Sequence, residues 1–213
     1  MLKPAKLFLP ACALMLLSSS VLSASSTKTI QVIVDNSGTL QHVQEGLRSE
    51  HRLFYNLTEL RKKSSYREAL INVISLNNPR NIFEVTPNQL FRRGAELVPR
   101  LNVIKDGCSD IVGAFERVKE NVRLKGTTDV EVYVFSSLIH TGAPCDNAVI
   151  ELPQEAPKDL DLSFLKNAKV RFLWVHHLQK GPWLELLSRS GLLNFQLHDE
   201  EATKRVLREG LDE

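Results

Sequence analysis

Six short runs of apolar and β-branched residues, separated by longer helical patterns, constrain the fold of this chain most. The clearest run is TIQVIVD (29–35), which is nearly continuous in apolar character and stops at a polar turn. Such runs are typical of buried strands in a largely parallel sheet. The other runs lie at 69–76, 81–85, 130–137 and 169–175, with a short one near LNFQLH.

Apolar residues between these runs recur at helical spacing and predict an alternation of strands and helices. The second and third runs are joined by the turn NNPR, which predicts a hairpin. Thr86 followed by Pro87 predicts a helix start, and Pro99 predicts its end. We therefore predict an α/β fold. It is a doubly wound, mostly parallel central sheet with one antiparallel edge hairpin strand and helices on both faces.

The first two dozen residues of the 213-residue chain differ from the rest, because a short basic segment is followed by an apolar one and then by small residues. This order predicts a signal peptide over 1–24, followed by one domain over 28–213. We therefore expect a periplasmic or secreted protein; a lipoprotein anchored through Cys12 fits less well, because the apolar segment before it is very short.

The charge balance of the chain bears on its partners. Removing Lys3 and Lys6 with the leader leaves 25 of the 27 basic residues against 25 acidic ones. A near-neutral chain argues against nucleic acid as a partner. No later segment is apolar enough over sufficient length to predict stable membrane insertion after signal cleavage. Loss of Cys12 leaves Cys108 and Cys145, and an even pair in an exported chain predicts a disulfide between them.

Three polar loops follow predicted strands or open a predicted helix: DNSGT, GCSD and SSLIHTG. Ligands of open α/β sheets bind outside the carboxyl ends of the strands, so these loops are expected to meet at that edge.

The motif VDNSGT closely resembles the Asp-x-Ser-x-Ser signature of von Willebrand factor type A domains, and DGCSD lies where that family has a second loop opening a helix. The order of elements is similar over nearly the whole chain after the leader. The resemblance implies a binding module and not an enzyme. It also implies a Mg²⁺ ion that takes a carboxylate from a protein partner. Ser37, Thr39 and Ser109 would supply hydroxyl oxygens, and Asp35 would act through a coordinated water and its charge.

We expect the partner to bind at a rim around the ion, formed by Asn36, Gly38, Asp110 and His140. One position departs from the family, because Ser137 lies where an aspartate is expected after the fourth strand. Serine can donate a lone pair but brings no charge, which weakens the attraction for a dication. A metal-free interaction domain of an envelope complex, in which Ser37 and Thr39 merely cap a helix, therefore stays open.

An enzymatic alternative comes from the same stretch. VIVDNSGTL also resembles the first motif of haloacid-dehalogenase-type phosphatases, in which Asp35 would be the nucleophile. That family needs a second aspartate at position 37 for proton transfer, and serine does not provide it. The binding-module interpretation requires fewer departures at the site, so we prefer it.

Overall fold

A computed structural model describes residues 28–36, 44–101, 108–141 and 151–211, which form a six-stranded sheet with the order β3-β2-β1-β4-β5-β6. The strands are β1 (Thr29–Val34), β2 (Leu70–Ser75), β3 (Asn81–Val85), β4 (Val130–Phe135), β5 (Lys169–Leu173) and β6 (Asn194–Leu197). Only β3, at one edge, pairs antiparallel with its neighbour, and the other five strands are mutually parallel. The predicted fold class, hairpin included, is confirmed.

Helices connect the strands and pack on the sheet. They are α1 (Gln44–Glu59), α2 (Pro87–Leu97), α3 (Ile111–Lys125), α4 (Lys180–Arg189) and α5 (Glu200–Glu209). The predicted start of α2 is built as a reciprocal cap. The Gln89 backbone N–H donates to the Thr86 hydroxyl at 3.2 Å, and the Thr86 N–H donates to the Gln89 side chain at 2.8 Å. A short 3₁₀ turn, Val98–Leu101, follows α2 and contains Pro99.

The sheet separates two hydrophobic cores, because successive side chains of a strand point to opposite faces. Ile30, Val32 and Val34 of β1 pack in the first core, with buried residues of α1, α2 and α5. Ile33 belongs to the second core, which α3 and α4 cover. Trp183 of α4 is completely buried there, with its ring 5.9 Å from that of Phe172. Helices thus cover both faces, as the sequence predicts.

Parallel strands all end at one edge of the sheet, here called the carboxyl edge, and the loops of interest leave from it. Within the described ranges, no helix has the length and apolar character needed to cross a membrane. The predicted signal peptide, residues 1–24, lies outside the described residues.

Candidate functional site at the carboxyl edge

Asp35 lies directly after β1 and is nearly buried, with 3% of its surface exposed. Its carboxylate oxygen Oδ2 accepts a hydrogen bond from the Ser136 hydroxyl at 2.9 Å, and its backbone N–H donates to the Phe135 carbonyl at the same distance. The ends of β1 and β4 are therefore joined through this aspartate at the centre of the edge.

The turn after β4 is held rigidly by its neighbours. Leu138 has a positive φ of 61°, a conformation that non-glycine residues adopt only when their surroundings enforce it. Its N–H donates to the Ser136 hydroxyl at 3.0 Å. Its carbonyl accepts hydrogen bonds from the Trp183 indole at 3.1 Å and the Gln179 side chain at 3.2 Å. This turn fixes the position of Ser137, whose hydroxyl is buried and has no hydrogen-bond partner among the described residues.

The loop before α3 brings Ser109 to the same edge. Ser109 is completely buried; its N–H donates to the Thr141 hydroxyl at 2.6 Å, and its carbonyl accepts from the Thr141 N–H at 3.1 Å. The Ser109 hydroxyl, like that of Ser137, finds no hydrogen-bond partner in the described part of the chain. The loops after β4 and before α3 are thus bonded to each other.

The predicted rim residues have structural partners of their own. Asp110 caps α3 by accepting from the Gly113 N–H at 2.9 Å, and its own N–H donates to the Leu76 carbonyl at 3.0 Å. His140 is half-buried, and its Nδ1 accepts from the Ile111 N–H at 3.3 Å. Asp110 and His140 both remain partly exposed at the edge.

Asn36 is buried, in contrast to these two residues. Its side-chain oxygen accepts from the Ser75 hydroxyl and from the Asn77 N–H, the latter at 3.3 Å, which joins the ends of β1 and β2. Ser37, Gly38, Thr39 and Cys145 lie outside the described residues. Cys108 is disulfide-bonded, and its pairing with Cys145 stays a prediction.

The oxygen atoms at this edge are of the kind that a hard cation prefers, but only one of the predicted ligand groups carries a negative charge. The edge has one motif carboxylate, Asp35, and two buried hydroxyls, those of Ser109 and Ser137, that lack hydrogen-bond partners among the described residues. Buried polar atoms without a partner are costly, and water or an ion commonly satisfies them. In the described ranges, no group of three or more His, Cys, Asp or Glu side chains is placed to hold a metal ion. A cation at this edge would therefore depend on hydroxyl oxygens and water, which suits Mg²⁺.

Glu50 is a buried carboxyl group near the site that the sequence analysis missed. It precedes Leu53, Phe54 and Leu57 on the core-facing stripe of α1, and only 9% of its surface is exposed. Burial raises its pKa to about 8, and the negative charge of Asp35 contributes to the shift. The signal was present in the sequence, since a glutamate occupies a position that the helical period assigns to the apolar face.

Comparisons with known proteins identify the fold and not a family. No protein-family model and no curated protein matches the chain. Solved structures are similar to it, and two of them match 87% of the chain. The pilus adhesin SpaC from Lactobacillus rhamnosus GG, in an open conformation, has a TM-score of 0.54 and 10% identity. Proximal thread matrix protein 1 from the mussel byssus has a TM-score of 0.52 and 13% identity. The matched regions cover 30% and 47% of those chains, so this chain spans less than half of either.

Proposed function

We propose that this chain is an exported protein-binding module of the von Willebrand factor type A kind. It binds a protein partner at the carboxyl edge of its sheet, and its place of action is the periplasm or the outside of the cell. A Mg²⁺ ion at this edge would bridge to a carboxylate of the partner. The role is one of adhesion or assembly.

The observation that carries the proposal is the convergence of three loops at the carboxyl edge. The Ser136 hydroxyl bonds Asp35, and Thr141 bonds Ser109, so polar side chains from the ends of β1 and β4 and the start of α3 share one region. The likeness of the fold to a pilus adhesin and a byssus matrix protein agrees with an adhesion or assembly role.

Asp35, Ser109 and Ser137, with Ser37 and Thr39 outside the described residues, are the side chains that would hold the ion. Mg²⁺ supplies an electrophilic centre that accepts a hard oxygen ligand. The residues of the chain perform the remaining work. The hydrogen bond from Ser136 orients the Asp35 carboxylate, and the strained turn at Leu138 keeps Ser137 in place.

The metal proposal is tested by calorimetric titration of the purified protein with Mg²⁺ and Mn²⁺, beside an Asp35→Ala variant. We expect heat of binding and a raised melting temperature in the unaltered protein, and neither in the variant. Asp159→Ala, at an exposed aspartate in the segment that precedes the start of β5, is the control and should behave like the unaltered protein.

Absence of heat and of any melting shift in the unaltered protein would leave a metal-free interaction domain. Turnover of a phosphomonoester that Asp35→Ala abolishes would instead identify an enzyme and contradict the binding-module proposal.

A further inference from the structure

A groove of about 660 Å³ lies between α1 and α2, and we call it the α1–α2 groove. Leu47, Glu50 and His51 line it from α1, and Ala95, Val98 and Leu101 from α2 and the turn after it. Because β3 is antiparallel, α2 runs toward the carboxyl edge and α1 runs away from it. The first turns of α1 and the last turns of α2 therefore place the groove beside the candidate site.

The walls of the groove are apolar except at Glu50 and His51, and they leave room for a side chain. Leu47 is one of the exposed large apolar residues of the protein, with 37% of its surface accessible. Gly94 of α2 also lines the groove, and a Cβ atom at this position would meet no other atom within 4 Å. Small residues on α2 thus create the space, and an aliphatic chain could fill it.

Glu50 makes the groove chemically distinctive. It is more than nine-tenths buried, faces the groove, and forms no hydrogen bond or ion pair in the part of the chain that the structure describes. At the opposite edge of the sheet, a second buried carboxyl group has the hydrogen-bond and ion-pair partners that such groups usually have. There Glu131 accepts from Lys28 at 2.9 Å, Tyr66 at 2.6 Å and Tyr133 at 3.0 Å. A buried carboxyl group without such partners is costly, and a cationic ligand would relieve that cost.

We propose that the α1–α2 groove binds a lysine or arginine side chain of the protein partner. The aliphatic stem of that side chain packs against Leu47 and Val98, and its cationic head bonds the Glu50 carboxylate. Lysine and arginine combine an apolar stem with a charged head, which matches apolar walls that end in a carboxyl group. An anionic ligand would be repelled by Asp35 and would oppose ionisation of Glu50, whereas a cationic head favours the ionised form that it bonds. A purely apolar ligand would leave Glu50 unpaired.

That the ligand belongs to a protein rests on the proposed function, whereas the choice of a cation rests on the groove itself. The test therefore runs without metal. Phage-displayed random peptides are selected on the immobilised purified protein in the presence of EDTA, and the dissociation constants of synthetic copies are measured by fluorescence anisotropy. We expect lysine or arginine to be enriched. Replacing the enriched basic residue by norleucine should weaken binding roughly tenfold or more, the usual effect of losing a charge-assisted hydrogen bond.

Variants of the chain locate the bound peptide. Glu50→Gln should abolish the preference for lysine over norleucine, because the amide keeps the shape but cannot ionise to pair with a bound cation. Gly94→Leu should block binding by filling the groove. Gly181→Leu is its matched control, since Gly181 lies in α4 on the opposite face of the sheet and a Cβ atom there also meets nothing within 4 Å. This variant should bind the peptides as tightly as the unaltered protein.

Several outcomes would overturn the proposal. One is that the selection yields no binding peptide, or yields peptides without enrichment of lysine or arginine. Another is that the Glu50→Gln variant still prefers lysine over norleucine. A melting shift with Mn²⁺ that Glu50→Gln removes would assign Glu50 to the cation site instead. Failure of Mg²⁺ binding in the Asp35 experiment leaves these outcomes unaffected, so the two proposals fail separately.

Discussion

Glu50 occupies a position on the core side of α1 that its neighbours Leu53 and Phe54 would lead one to assign to an apolar residue. A carboxyl group held there resists ionisation, since burial raises its pKa to about 8 and the charge of Asp35 adds to the shift. The unfolded chain has an ordinary carboxyl pKa near 4.5. Between these two values the folded protein binds more protons at Glu50 than the unfolded chain does, so folding stability falls as the pH rises.

Glu50→Gln should therefore flatten the pH dependence of stability between about pH 4.5 and 8 in EDTA, and stabilise the protein at pH 8. The full linkage amounts to at most roughly 4 to 5 kcal/mol, at about 1.4 kcal/mol per pH unit. Urea denaturation at several pH values measures the effect. Glu45→Gln is the control: a hydrogen bond from Lys204 lowers the pKa of this exposed carboxyl, so its effect is confined to more acidic pH. An unchanged slope in Glu50→Gln would contradict the assignment.

At the scale of single residues, the sequence pattern located Asp35 directly after β1 and Ser109 directly before α3, but not their partners. The hydroxyl that bonds Asp35 belongs to Ser136, whereas the family resemblance drew attention to Ser137. The side chains of Ser136 and Ser137 point in directions that the backbone of the turn after β4 determines. That turn includes the positive φ of Leu138, which no sequence motif indicated. Glu50 was missed because its partner in the electrostatic interaction, Asp35, is fifteen positions away on another element.

At the scale of elements, α2 and α3 each contain one glycine, and the two have opposite surroundings. A Cβ atom added at Gly113, in the first turn of α3, would clash with the capping Asp110 side chain and lie 2.8 Å from Pro79 Cγ. At Gly94 an added Cβ would meet nothing. Glycine is thus required at the start of α3, where the cap approaches closely, but not in the middle of α2.

Gly113→Ala should destabilise the protein by about 1 to 3 kcal/mol, because overpacking outweighs the better helix propensity of alanine. Gly94→Ala should stabilise it by about 0.5 to 1 kcal/mol, since only the propensity changes. Thermal and urea denaturation of both variants would measure the difference. Stabilisation by Gly113→Ala would show that the cap of α3 is looser than described.

The starts and ends of helices were predicted best where a residue with a fixed backbone preference marks them. Thr86 and Pro87 start α2, and Pro99 follows its end. Strand order was not predictable from the pattern, because each buried strand is equally apolar and nothing local specifies its neighbour. The placement of β1 between β2 and β4 results from crossover connections over the whole chain.

At the scale of the whole molecule, the sheet divides the interior into two hydrophobic cores. A substitution in one core should therefore not alter the effect on folding stability of a substitution in the other. Ile30 of β1 and Ile111 of α3 are both completely buried, but they belong to different cores. Ile30 and Ile71, by contrast, face each other on paired strands in the first core.

Ile30→Val and Ile111→Val should each destabilise the protein by about 0.5 to 1.5 kcal/mol. Their effects should add to within about 0.5 kcal/mol in the double variant. Ile30→Val with Ile71→Val should deviate from additivity, since the two side chains share a packing site. Urea denaturation of the single and double variants gives the coupling energies, and strong coupling across the sheet would contradict independent cores.

The two outermost strands also bear on self-association. β6 offers only four residues to a neighbour, and the pairing of β3 is interrupted by a register shift between Val73 and Ile74. On the β3 side, Glu84 is ion-paired with Lys125, which puts charge on that border. Short, kinked and charged borders give an incoming chain little backbone to hydrogen-bond. Polymerisation by strand addition is therefore disfavoured, and we expect contacts with other proteins to be made by side chains.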